Sequence, residues 1–149
     1  MRKLLMAIIA ALTLIATPAL AQTDADVDAR IDTVLGDHTA YREAFDAIQA
    51  AIAAKDGAAF AAWVSYPITV VADGEEMVIA DAEQFAEHFD NIVTDEIATA
   101  ISEQKWADLF VNDQGLMFGN GQVWVNGICK DETCATFDVK VITIQSTSN

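Results

Sequence analysis

The apolar positions of this chain fall into three regimes: one continuous run, a set of helical stripes, and a set of short alternating stretches. The run comes first. Residues 4–16 form a 13-residue apolar stretch preceded by Arg2 and Lys3, broken by Pro18 and followed by Ala19-Leu20-Ala21. A positive start, an apolar segment and small residues at the two positions read by signal peptidase predict a secretory signal, cleaved between Ala21 and Gln22. An uncleaved anchor is the alternative, because the uncharged run 4–22 spans 19 residues, close to the roughly 20 that a spanning helix needs. Thr13, Thr17, Pro18 and Gln22 dilute that run, and the A-x-A site stands where a leader ends. The expected organisation is a signal peptide over 1–21 and a single domain over 22–149.

The helical stripes follow. Residues 23–37 are rich in Asp and Ala and set Val27, Ile31 and Val34/Leu35 at helical spacing. That predicts a short amphipathic helix or a loose arm within 22–38. Asp24, Asp26, Asp28 and Asp32 lack the glycine and terminal glutamate of an EF-hand loop, and read as charge favoured at a helix N-terminus. Over 39–56, Tyr41, Phe45, Ile48 and Ile52 make one apolar stripe, with Thr39 as the expected cap and Gly57 as the expected stop. Residues 58–64 read as a short helix presenting Phe60 and Trp63/Val64, halted at Tyr66-Pro67 because the residue before proline avoids the α region. Asp81 with Gln84 approximates a capping box, opening a helix in which Phe85, His88, Phe89 and Ile92 share a face. A further helical piece over 94–104 carries Ile97 and Ile101.

The alternating stretches dominate the last third. Before them, residues 68–72 and 76–80 flank Asp73-Gly74, a strong hairpin signal. Residues 107–112 alternate, with Leu109 and Val111 opposed to Asp108 and Phe110. Residues 115–119 and 122–129 read as strands around the turn Gly119-Asn120-Gly121. The final strand, 135–145, changes phase: Phe137, Val139 and Val141 lie on one face, Ile142 and Ile144 on the other. Either a bulge re-aims the strand or its end is covered on both faces. Residues 146–149 read as a loose tail. Helices first and antiparallel strands afterwards predict an α+β domain whose bent sheet wraps the helices.

Charge and cysteine usage narrow the picture. The net charge is −15, and loss of Arg2 and Lys3 with the leader makes it −17. So acidic a chain is repelled by phosphate backbones, which disfavours nucleic acid as a partner. Cys129 and Cys134, close together in an exported chain, predict a disulfide stapling two neighbouring strands. A redox site normally has two intervening residues rather than four. A zinc site needs about four ligands, with only His38 and His88 left to add. No cofactor or metal motif is present, and no membrane contact is expected once the leader is gone.

Several segments together resemble a known family. They are Ala53-Ala54-Lys55-Asp56-Gly57-Ala58-Ala59-Phe60 with Tyr66-Pro67-Ile68, then residues 85–92, Asp108-Leu109-Phe110, Gly115-Leu116-Met117-Phe118-Gly119 and Gly121-Gln122-Val123-Trp124. The chain resembles the nuclear transport factor 2-like superfamily (the ketosteroid isomerase-like and SnoaL-like domains), in particular its small exported bacterial members. The resemblance implies a cone-shaped fold, with N-terminal helices packed in a strongly curved antiparallel sheet and a cavity at the open end. It also implies pairing of two copies through the outer sheet face. It does not carry an activity, because this fold hosts enzymes and non-enzymes alike. The enzymes of the family use pocket carboxylates, a Tyr or an Asp/His pair, and no local motif maps those onto this chain.

The remaining candidates are few. His88, on the apolar side of its helix, is the candidate pocket base, although Asp90 does not share its face and no orienting partner is evident. Trp63, Tyr66, His88, Phe89 and Trp124 are candidate lining residues of a cavity, with core packing as the alternative. Ser65 and Ser102 lack a nucleophile-elbow setting. The expected function is therefore a periplasmic or secreted, non-catalytic domain binding a small apolar ligand or a protein partner. The alternatives are an isomerase, dehydratase or hydrolase using a pocket base, and an acidic inhibitor or immunity-type protein.

Overall fold

The structure is a computed structural model and describes residues 21–147. Apart from Ala21, the segment read as a leader lies outside the described residues. Among the described residues no helix is long and apolar enough to cross a membrane.

The fold is α+β. Helices α1 (Asp24–Val34), α2 (His38–Ala54) and α3 (Gly57–Ala61) precede a hairpin of β1 (Ile68–Ala72) and β2 (Glu75–Ile79). Helices α4 (Ala82–Glu87), α5 (Phe89–Ile92) and α6 (Asp95–Glu103) follow. A 3-10 turn at Trp106–Asp108 then leads into β3 (Phe110–Asn112), β4 (Gly115–Phe118), β5 (Val123–Cys129) and β6 (Phe137–Ile144). The last four strands form an antiparallel meander in sequence order, and β1–β2 is a separate two-stranded sheet. A parallel bridge between Val64 and Val141 joins the segment before β1 to β6.

One helix organises the interior. Tyr41, Phe45, Ile48 and Ile52 of α2 are all buried, as the stripe predicts. They meet Leu116, Phe118, Val123, Val125, Val139 and Val141 from the inner face of the meander in one apolar core. The chemistry of the helix ends differs from expectation. Asp37, not Thr39, caps α2, its Oδ1 accepting from Thr39 N at 2.9 Å, because a carboxylate two positions earlier reaches the free amides of the first turn. Lys55 ends the helix in the left-handed conformation, and Gly57 is the first residue of α3 rather than a stop. The 22–38 segment is an ordered helix: Thr23 and Asp26 form a reciprocal capping box, and Val27 and Ile31 are buried.

Two further expectations are revised. The helix expected through residues 85–92 breaks at His88. The break lets Phe89 lie against Gly57, so closely that a Cβ there would fall 2.8 Å from Phe89 Cβ. The alternating stretch 107–112 is strand only from Phe110. Trp106 turns inward instead, donating its indole N–H to Asp28 Oδ1 at 2.8 Å and meeting Phe45 edge-on at 5.2 Å, under the Arg42 guanidinium at 4.6 Å.

The phase change in the last strand is a bulge. Trp124 opposes Thr143 and Val125 opposes Val141, so Ile142 has no partner residue. Val139 and Val141 face inward before it and Ile144 does so after it. One extra residue thus keeps both halves of a long strand on the core.

The Cys129–Cys134 disulfide is formed, with Cα atoms 4.7 Å apart. It ties the end of β5 to the connecting loop rather than stapling two strands, since Cys129 opposes Phe137 in the ladder. Asp131 organises that loop, accepting from Thr133, Ala135 and Thr136 amides and from both threonine hydroxyls. Those bonds hold its carboxyl well below the ordinary carboxylate range. The tail is not loose where it is described: Ser146 Oγ, Thr147 N and Thr147 Oγ1 all donate to the Glu96 carboxylate, at 2.6, 3.0 and 3.2 Å.

Candidate functional site

The five lining candidates do not converge on one cavity. Tyr66 and Phe89 join an aromatic cluster through Phe85. Phe60 stacks on Phe85 at 5.6 Å and lies 5.8 Å from Phe89, and Tyr66 meets Phe85 edge-on at 6.3 Å. Tyr66 donates its hydroxyl to Ala61 O at 2.9 Å. Burial, helped by the Asp81 charge, pushes its pKa up to about 12, so it is a fixed donor rather than an acid. His88 is half-buried at the break between α4 and α5, and its ring pairs with no carboxylate among the described residues. Phe89 also borders a groove of about 530 Å³ with Ile52, Lys55 and Thr94. Trp63 lines a separate groove of about 470 Å³ against β6. Trp124 lies on the face of the meander away from the helices.

The interior between helices and meander is filled. Phe45 stacks on Phe118 at 5.1 Å with rings 7° from parallel. Tyr41 plugs the far end, accepting from Gly127 N at 2.8 Å and donating to Asn126 Oδ1 at 3.1 Å. Burial raises the pKa of Tyr41 against the opposing effect of the Gly127 bond. Gln122 is the one buried polar residue among the described ones, and no charged side chain there is buried.

Two arrangements escaped sequence reasoning. The first is on the outer face of the meander. Phe110 opposes Met117, Met117 opposes Trp124, and Trp124 opposes Thr143. These side chains form one row across four strands. Phe110 is 52% exposed and meets Trp124 edge-on at 6.3 Å. Met117 and Trp124 are half-buried. The sequence held a signal for it, since Phe110 shares the outward phase of Asp108.

The second is a histidine–carboxylate pair. His38 Nδ1 lies 2.8 Å from Asp32 Oδ1, and His38 N donates to the same oxygen at 2.9 Å. Asp37 stands close enough that all three could face one cation. However, Asp32 is committed to His38 and Asp37 to the cap of α2, so the cluster joins α1 to α2. The Asp32 hydrogen bond, with the charges of Asp32, Asp28 and Asp37, raises the His38 pKa from 6.5. The bonds from His38 lower that of Asp32 from 3.8. A raised histidine contributes stability that is complete below 6.5 and is lost as pH rises through its folded value. A lowered carboxylate contributes above 3.8 and loses it as pH falls through its folded value. The pair therefore acts between those limits. An NMR titration of wild type should place His38 above 6.5, and Asp32→Asn should bring it back down. The stability gap between the two proteins should be widest between the two ordinary values, 3.8 and 6.5, and should narrow as pH rises through the folded His38 pKa, leaving the share that the His38 N–H bond to Asp32 supplies.

No family model, curated protein or solved structure matches the chain.

Proposed function

We propose that this chain is an exported, non-catalytic binding domain of the nuclear transport factor 2-like kind, and that it engages a protein partner rather than enclosing a small ligand. The row Phe110–Met117–Trp124 on the outer face carries the reading. Aromatic and methionine side chains grouped on an otherwise acidic, solvated surface are the composition of an interface centre. The filled interior counts against an enclosed ligand. The family part of the reading rests on the segments that carry the resemblance; the α+β order of elements, with a four-strand meander whose last strand is bridged to the segment before β1, is compatible with it. The disulfide agrees with an oxidising compartment.

The partner implied by the resemblance is a second copy. Sedimentation velocity of the purified protein should show a concentration-dependent dimer. Phe110→Ser combined with Trp124→Ser should weaken it at least about tenfold, as loss of interface hot spots does, with unchanged far-UV circular dichroism. A monomer at every concentration, or a dimer indifferent to both substitutions, would remove this assignment of the surface.

A further inference from the structure

We infer that the free edge of β6 beside Trp63 is a docking groove for an extended, basic segment of another protein, which would add to the sheet as a short strand. The site lies away from the outer face and stands independently of the dimer proposed above.

The argument begins with the backbone. Val141 N donates to Trp63 O at 2.7 Å and Val141 O accepts from Ser65 N at 2.9 Å. Both polar groups of Val141 therefore point away from β5. In an antiparallel ladder the outward-pointing residues recur every second position, and the register is unbroken from Val141 back to Phe137. Val139 and Phe137 consequently direct their N–H and C=O groups to the same edge.

The segment that covers Val141 cannot continue along that edge. To pair with Val139, Trp63 N would have to be available, but it donates to Phe60 O at 2.9 Å in the last turn of α3. Ala61 O is taken by the Tyr66 hydroxyl. Helical structure thus ends the pairing after one bridge, and among the described residues no hydrogen bond satisfies the outward groups of Val139 and Phe137. A row of such groups is the template on which an added strand forms.

A groove of about 470 Å³ lies along this edge, walled by Ala40, Glu43, Ala62, Trp63 and Phe137. Asp138 pairs with Lys130 at 2.6 Å, which offsets its charge, and Lys140 Nζ is drawn to Ala62 O at 2.7 Å, which fixes its ammonium at the Ala62 end of the groove without neutralising it. Glu43, exposed at the rim, makes no such bond among the described residues. The complement is an extended backbone, a small apolar side chain against Trp63 and Phe137, and a Lys or Arg toward Glu43. The net charge of −15 would steer such a basic segment inward.

The probe is acetyl-Lys-Val-Lys-Val-Lys-amide, followed by amide NMR of the full protein. In the free protein, the Phe137 and Val139 amides should exchange with solvent much faster than those of Asp138 and Lys140. Titration should shift the Phe137, Val139 and Trp63 amides saturably, with a dissociation constant below about 1 mM. Methylating both valine nitrogens of the probe should weaken binding at least about tenfold, because it removes ladder donors. Glu43→Lys should weaken it by a similar factor, more at low salt than at high. Equal protection of all four amides, binding that survives N-methylation, or no shift at millimolar peptide would overturn the inference. Shifts confined to Phe110 and Trp124 would also overturn it while leaving the outer-face reading standing.

Discussion

Phe118→Ala should cost about 3–5 kcal/mol of stability, the usual loss for a buried phenylalanine in a core that cannot collapse. For a domain of this size that corresponds to a fall in Tm of roughly 10–15 °C. Phe118 is fully buried and stacked on Phe45. Phe45 is fixed in turn by the edge of Trp106, whose indole is held by Asp28. With three aromatic positions braced in series, the site has little freedom to close over the missing ring. The loss is read by thermal and urea unfolding. The same variant tests the claim that the interior is filled. Its cavity would be apolar and dry, and such cavities take up benzene. Benzene should therefore raise the Tm of Phe118→Ala, by mass action on the folded state, and leave wild type unchanged. A wild-type response would mean that the interior already admits a small apolar molecule, and would reopen the ligand reading against the partner reading.

Much of the fold was legible because its signals are local. The α2 stripe, the Asp73-Gly74 hairpin and the phase change in the last strand each follow from a few consecutive residues. The structure realises all three, the last as the Ile142 bulge. What was missed depends on contacts between distant segments. Nothing near 107–112 says that Trp106 must turn in to meet Asp28 of α1. Nothing near 85–92 says that the helix must break at His88 and bring Phe89 against Gly57. The tail read as loose is held by Glu96, fifty residues away along the chain.

The site was legible in part only. Aromatic positions can be read from a sequence, but the side of a sheet they occupy depends on register. Trp124 and Phe110 become one surface because Met117 stands between them in the ladder. Tyr66 and Phe89, which looked equivalent to Trp124, pack into the core through Phe85. The open edge at Val139 was illegible in principle. It depends on where α3 stops, since a helix one residue shorter would free Trp63 N to continue the pairing.

Gly115→Ala should be the second severe substitution, costing more than about 2 kcal/mol, and it connects the core to the outer surface. Gly115 sits at φ +129, and a Cβ there would lie 2.3 Å from Val125 O. The collision is with backbone, so no rotamer relieves it. Either β4 moves off β5 or the start of β4 unpairs. Gly74→Ala is the control: it too has a positive φ, +81, but its Cβ would meet nothing within 4 Å. That variant should lose only the conformational penalty of about 1–2 kcal/mol. Unfolding curves of both variants give the comparison, and exchange rates at Leu116 and Val125 locate the damage. Equal losses would show that dihedral preference alone sets the cost and that the close approach of the strands does not matter. A larger loss at Gly115, with rapid exchange at Leu116, would show that strand contact does matter. Met117 follows Gly115 by two residues and forms the middle of the outer row. Displacing β4 should therefore weaken the proposed dimer as well, although Gly115 has no side chain to offer a partner. The same separation between β4 and β5 that closes the core thus holds Phe110, Met117 and Trp124 in line.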